Sequence, residues 1–205
     1  MMQLHAEFIK QTQRIFADES EQMLAAIMER SPEVSIRINP AKVGEARLGE
    51  LSRVPWCSSG AYLAERPQFT FDTDFQAGNY YVQDASSMFI AQVLTQLVKM
   101  PVRYLDLCAA PGGKTTAALA VLPKGSLVVA NEIVPARAKV LAQNVEKWGA
   151  GNCVVSSNAP ACFGALTHYF DVVAADVPCS GEGMFRKDDE AVAQWTPQLV
   201  DECAA

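Results

Sequence analysis

At 205 residues the chain suits one domain, or one domain with a small extension. Half of it is hydrophobic and 20% is charged, and no apolar run is long enough to cross a membrane, so a soluble cytoplasmic protein is expected. A formal net charge of −6 argues against a broad nucleic-acid surface, so any RNA contact has to come from a local basic groove or a basic segment elsewhere.

Residues 1–10 lack a basic-then-apolar layout, and no signal peptide is expected. Residues 1–30 carry two helical stripes, Phe8, Ile9, Thr12, Ile15 and Phe16, then Met23, Leu24, Ile27 and Met28, both read as core. Ser31-Pro32 breaks the pattern. Residues 34–38 alternate like a strand closed by Asn39-Pro40, and short strand candidates such as 61–65 follow between turns. Residues 1–83 therefore read as a small α+β subdomain.

Asp84 is a candidate N-cap for a helix through Val98, with Met88, Phe89, Val93, Leu94, Leu97 and Val98 as its buried stripe. An apolar strand at 102–107 then runs into Cys108, Ala109, Ala110, Pro111, Gly112, Gly113 and Lys114, and residues 115–121 read as a helix. A strand that enters a helix through glycines presents free N–H groups to a polar part of a nucleotide-like ligand. Gly113-Lys114-Thr115 satisfies the end of a phosphate-binding P-loop, but Cys108 stands where its first glycine belongs. A second strand at 126–130 ends at Asn131-Glu132. Glu132 falls where a carboxylate grips ribose hydroxyls in a βαβ nucleotide site. An adenosine-type ligand without a triphosphate fits best.

Pro135 at a first helical turn and Gly149 past Trp148 bound the next helix. Strands at 152–156 and 169–175 follow, and residues 189–205 read as one more helix. Alternation of this kind predicts an α/β, Rossmann-like parallel sheet over residues 84–205, covered on both faces. Ligands bind beyond the carboxyl ends of such strands, where residues 108–114, Glu132 and Asp176 all fall. The six cysteines contain no C-x-x-C pair and neither histidine adjoins one, so no metal site is expected. Cys57, Cys153 and Cys162 read as buried small hydrophobes, while Cys179 stands apart in a Pro-Cys-Ser-Gly loop.

Residues 108–115 (Cys-Ala-Ala-Pro-Gly-Gly-Lys-Thr) and 176–183 (Asp-Val-Pro-Cys-Ser-Gly-Glu-Gly) resemble two motifs of the Sun-type RNA cytosine methyltransferases. Ser35-Ile36-Arg37-Ile38-Asn39, residues 77–88 and Met184-Phe185-Arg186-Lys187-Asp188 extend the likeness, which is greatest to the bacterial branch that modifies small-subunit ribosomal RNA. The resemblance implies S-adenosyl-L-methionine as cofactor, RNA as partner, and 5-methylcytosine as product. It assigns Asp176 to the cytosine N3 and amine, and Cys179 to release of the methylated product. A cysteine thiolate adding to carbon 6 would make carbon 5 reactive. That nucleophile lies, in the family, in a Thr-Cys motif after a fifth strand, and Cys203 does not match it. An amino-terminal fragment, inactive by itself, is the expectation.

One departure concerns the adenine, where the family places an Asp after the third strand. This chain has Asn158 and Ala159 there, and Asn158 can still accept a hydrogen bond. Lys114 stays open between a solvent-facing helix lysine and a cofactor-loop residue, and Arg186 with Lys187 between a surface pair and an RNA contact. A non-catalytic cofactor- or RNA-binding module and a transfer-RNA methyltransferase are the alternative functions. An amino-group methyltransferase would want Asp/Asn-Pro-Pro-aromatic at 176–179, against Val177 and Cys179.

Overall fold

The structure is a computed structural model and describes residues 4–29 and 33–204. The chain divides into two compact units, one drawn from the segments before residue 33 and after Asp176, the other from residues 33–176. The break expected at Ser31-Pro32 lies outside the described residues. The chain opens with α1 (Ala6–Phe16) and α2 (Ser20–Glu29) of the first unit.

The second unit begins with an antiparallel sheet, in which β1 (Val34–Ile38) lies between β2 (Gly60–Leu63) and β3 (Tyr80–Val82). A single helical turn, α3 (Thr73–Gln76), is capped by the Asp72 carboxylate. Ile36, Ile38, Leu48 and Ala61 fill one core of this layer. Asp84 does not cap a long helix. Its carboxylate accepts the Ser86 N–H at 3.0 Å and the hydroxyl at 2.8 Å, which starts a 3-10 turn, and α4 (Phe89–Leu97) begins only afterwards. Of the predicted stripe, Met88 and Leu94 are buried and Val93 and Val98 half-buried, whereas Phe89 and Leu97 are exposed. The buried residues within α4 are Ala91 and Leu94, at i and i+3, and half-buried Val98 at i+7 continues the same face.

A four-stranded parallel sheet follows, in the order β6-β5-β4-β7, built from β4 (Arg103–Asp106), β5 (Leu127–Asn131), β6 (Cys153–Ser156) and β7 (Val172–Ala174). The crossovers are α5 (Gly113–Val121) and α6 (Pro135–Trp148). Pro135 does start α6, and Gly149 closes it in the left-handed region. Register puts Tyr104, Val128, Cys153 and Val172 on one face, and Leu105, Val129, Val154 and Val173 on the other. Leu94 and Ala118 pack on the first face with Tyr104 and Val128, and Leu141 and Val145 pack there with Ala130 and Val155. All three helices therefore cover one face. On the other, Val154 and Val173 are 52% and 54% exposed, so the expected cover on both faces is not present among the described residues.

The antiparallel layer is fastened to the parallel one by β1. Strand alternation turns Arg37 away from Ile36 and Ile38, and its side chain is wholly buried without an ion pair. Its Nε donates to Gln83 Oε1 at 2.8 Å and its Nη2 to Thr116 Oγ1 at 2.6 Å. Nη1 and Nη2 also reach the carbonyls of Thr116 and Gly113, both at 3.3 Å, and the guanidinium lies 4.5 Å from the Trp148 ring centre. Asn39 Nδ2 bonds the Trp148 carbonyl at 2.8 Å. Gly78 completes the seam, since a Cβ there would stand 1.9 Å from the Lys147 carbonyl oxygen.

Returning to the first unit, residues 189–204 form two helices where one was expected over 189–205, α7 (Asp189–Gln194) and α8 (Pro197–Ala204). Pro197 cannot continue a helix, and it starts the next one while Thr196 Oγ1 accepts the Leu199 N–H at 3.1 Å. The core joins Phe8 to Phe185 and Trp195, edge-on at 5.0 and 5.5 Å between ring centres. The Trp195 indole N–H donates to Glu182 at 2.8 Å. In α1 only Phe8 and Thr12 of the predicted stripe are buried, because Ile15 and Phe16 extend past that core and are exposed. In α2, Leu24 and Ile27 pack against it and Met28 is exposed. Of the cysteines expected to be buried, Cys57 is buried, Cys153 half-buried, and Cys162 exposed on a 3-10 turn.

The Tyr104 hydroxyl is buried without a hydrogen-bond partner, and burial pushes the phenol well above its ordinary pKa. Tyr104→Phe is accordingly expected to be neutral or to stabilise by about 1 kcal/mol, since it removes an unpaired polar group and little volume. Urea denaturation checks this. A loss above about 1 kcal/mol would mean that the hydroxyl has a stabilising partner.

Candidate active site

Three strand ends converge beside the loop at residues 107–112. β4 ends at Asp106, whose buried carboxylate accepts the Thr115 hydroxyl at 2.7 Å. Burial pushes its pKa above the ordinary 3.8, while Thr115 and Lys114 pull the other way. β5 ends at Asn131, whose side-chain amide donates to the Leu107 and Asn158 carbonyls at 3.2 and 2.9 Å. Its Oδ1 accepts from Ser156 Oγ and the Asn158 N–H. One asparagine thus ties the ends of three consecutive segments together. Leu107 N–H in turn bonds the Ala174 carbonyl of β7 at 2.9 Å.

The glycine turn itself is held from outside. Ala110–Pro111 is a cis peptide, and Gly112 sits at φ 107°, which a side chain rarely adopts. The Ala110 carbonyl accepts from Arg137 Nη2 at 3.1 Å, and the Pro111 carbonyl from Asn144 Nδ2 at 2.8 Å and the Tyr81 hydroxyl at 3.1 Å. With those carbonyls engaged, the turn delivers the chain to the start of α5, whose first N–H groups have no acceptor within the helix.

A cleft of about 180 Å³ opens over this turn. Cys108, Ala109, Ala110, Pro111, Gly113, Lys114 and Asp176 form one wall. Tyr81, Gln83, Asp84 and Ser87 contribute the other. Lys114 is half-buried and its Nζ donates to Asp176 Oδ2, so it is not a solvent-facing helix lysine. Burial pushes the Cys108 thiol up, and Glu132, Asp106 and Asp176 push it further. A raised thiol stays protonated at neutral pH and is a poor nucleophile. Arg137 pulls the other way, so three carboxylates and one guanidinium surround this point of the loop. Such a field favours a cation and opposes a polyphosphate.

The residues singled out in the sequence are not all in this cleft. Gly112 is buried beneath it, facing Leu141 and Asn144. Glu132 follows β5 and is buried, its Oε1 accepting the Val134 N–H at 3.0 Å and its Oε2 3.5 Å from Arg137 Nη1. Asn158 is exposed beyond β6, with its backbone held by Asn131. Cys179 is exposed on the segment that belongs to the first compact unit, and Cys203 is half-buried in α8. Among the described residues no group of three His, Cys, Asp or Glu could hold a metal ion, and no helix is long and apolar enough to cross a membrane. The residues that sequence reasoning missed are the far wall and Asn131. Their signal was available in part, since residues 77–88 resemble a family motif, but nothing local says that this strand faces the glycine turn.

Comparison with known proteins matches residues 4–85 to the N-terminal domain of 16S rRNA methyltransferase RsmF, and residues 97–205 to 16S rRNA methyltransferase RsmB/F. The chain is 36% identical over 193 residues to ribosomal RNA small subunit methyltransferase F of Pectobacterium carotovorum strain PC1, covering 88% of this chain and 40% of that protein. The chain thus spans less than half the length of the curated relatives it matches. The crystal structure of PH0851 superposes with a TM-score of 0.85 at 24% identity, over 98% of this chain and 47% of the other. NSun6 from Pyrococcus horikoshii with SFG superposes with a TM-score of 0.77 at 16% identity, over 98% and 76%. At these identities the two structures establish a shared fold.

Proposed function

The chain belongs to the 16S rRNA methyltransferase RsmB/F family, and we propose that it supplies the cofactor site of an enzyme that methylates carbon 5 of cytosine in 16S ribosomal RNA. The observation that carries this reading is the cleft in which the glycine turn, Lys114 and Asp176 meet. S-adenosyl-L-methionine, when bound, supplies an electrophilic methyl group on a sulfonium. The residues present fit such a ligand, because the acidic field at Cys108 suits a cation and the turn at 108–113 lets a nucleoside approach the backbone. Cys108, Ala109, Ala110, Pro111, Gly112, Gly113 and Lys114 would hold it, with Glu132 on the ribose and Asn158 at the adenine amine.

In this reading Lys114 aims the Asp176 carboxylate into the cleft, where it meets N3 and the amine of an unstacked cytosine. Cys179 serves release of the methylated product. We keep a boundary at 83/84 between an N-terminal subdomain and the sheet, beside residue 85 where the first family match ends, while the compact units divide at 32/33 and 176/177. The 205 residues by themselves transfer no methyl group. Among the described residues Cys108 is the one thiol lining the cleft, and its raised pKa makes it the wrong kind of sulfur for attack on carbon 6.

Calorimetry with S-adenosylhomocysteine is expected to detect binding, and Glu132→Ala to weaken it by about 1–3 kcal/mol through loss of a charge-assisted partner. Unchanged affinity in a variant with an unchanged melting temperature would remove Glu132 from the site. Tritiated methyl transfer to unmodified 16S rRNA should stay at background for this chain. Counts comparable to those of a full-length family member would place the nucleophile within these residues.

A further inference from the structure

The net charge of −6 leaves open where an RNA would touch this chain. One surface of the second unit departs from that average. Phe69, Phe75 and Tyr80 pack together with ring centres 5.7–6.4 Å apart. Arg66 lies 5.7 Å from the Phe69 ring centre, and Lys147 Nζ, from the end of α6, lies 4.9 Å from that of Phe75. Neither cation has an ion-pair partner among the described residues. Phe71, in the same turn as Phe69, is 84% exposed, more than any other large hydrophobic residue described.

Of the acids nearby, Glu65 and Glu146 adjoin Arg66 and Lys147 in sequence without an ion pair to them, while Asp72 and Asp74 are engaged. The Asp72 carboxylate accepts the Asp74 and Phe75 N–H groups and the Tyr80 hydroxyl, the last at 2.6 Å. Asp74 pairs with Arg47 and accepts from Asn79 Nδ2 at 2.8 Å. The strip therefore presents one exposed ring, Phe71, beside two cations that have no ion-pair partner among the described residues. Each element would be explained singly by packing, since an exposed phenylalanine is common and cation–π pairs are frequent. Their conjunction within one turn and one neighbouring helix end suits a ligand that stacks and carries negative charge.

We infer that this strip, centred on Phe71 with Arg66 and Lys147 at its flanks, is a docking surface for single-stranded RNA. The inference rests on the ribosomal-RNA reading above for its choice of nucleic acid. Unstacked bases offer π faces to aromatic side chains and Arg, and their phosphates draw cations. A paired helix hides its base faces and would use the cations alone. Single-strand binding also suits chemistry on a base that must leave its stack.

Fluorescence anisotropy tests this with a labelled 12-nucleotide unstructured RNA of mixed sequence, and with the same sequence as a duplex. The single strand is expected to bind more tightly than the duplex. Phe71→Ala should weaken single-strand binding about 5- to 100-fold, the loss of one stacked base. Arg66→Gln with Lys147→Gln should flatten the plot of log affinity against log salt by about 1.4, at about 0.7 per phosphate contact. Affinity for S-adenosylhomocysteine should be unchanged in every variant. Equal affinity of the variants and the wild type for the single strand overturns the inference. So does equal binding of strand and duplex, or a wild-type chain that binds S-adenosylhomocysteine but no RNA. Binding of RNA with the expected variant pattern, but of no S-adenosylhomocysteine, supports the strip and contradicts the cofactor reading instead.

Discussion

The arrangement depends on one buried cation. Arg37 carries its charge into the seam between the antiparallel and the parallel layer, where burial pulls its pKa down to about 10 and leaves it protonated at neutral pH. Among the described residues no carboxylate pairs with it. Four hydrogen bonds to oxygen acceptors and the face of Trp148 compensate for the lost hydration, and those partners lie on three different elements. Two are carbonyls of the first turn of α5, the turn that the glycine loop enters. Removing the charge or its acceptors would release β1 from that loop. Lysine could not reach so many acceptors in one plane, so the site asks for arginine.

The same seam sets the walls of the cleft. Gln83 accepts from Arg37 on one side and lines the cleft on the other, and its neighbour Tyr81 holds the Pro111 carbonyl. The antiparallel layer therefore helps to wall the cleft as well as preceding the parallel sheet in the chain. Electrostatics then choose the ligand class. Around Cys108 the acids Asp106, Glu132 and Asp176 stand against Arg137 and Lys114, three to two, an excess that suits the proposed nucleoside with a positive centre better than a nucleotide carrying phosphates. The missing first glycine of a P-loop, seen in the sequence as Cys108, thus agrees with the field seen in the structure.

Much of this was legible in the residues. The apolar run before Cys108, the alanine-rich run after Thr115, Pro135 and Gly149 each mark a boundary through a local rule, and the strands and helices lie where those rules put them. The failures are equally physical. A helical stripe says which side of α1 or α4 is apolar, but not how far its neighbours extend, so Ile15, Phe89 and Leu97 are exposed. Strand alternation cannot tell whether a second layer of helices exists, and Val154 and Val173 stand open where cover was expected. Arg37 was read only as part of a motif. An arginine between two isoleucines on a strand normally points to water, and only the tertiary seam makes it the centre of the fold.

We propose that the cofactor lies between the glycine turn and the β3–Ser87 segment, in a cleft whose walls the Arg37 seam holds together. Hydrogen–deuterium exchange on the chain with and without S-adenosylhomocysteine tests it most directly. The account predicts that the ligand slows exchange in residues 108–116 and 81–87 together. Slowing confined to residues 108–116, with residues 81–87 exchanging at the unliganded rate, would contradict it.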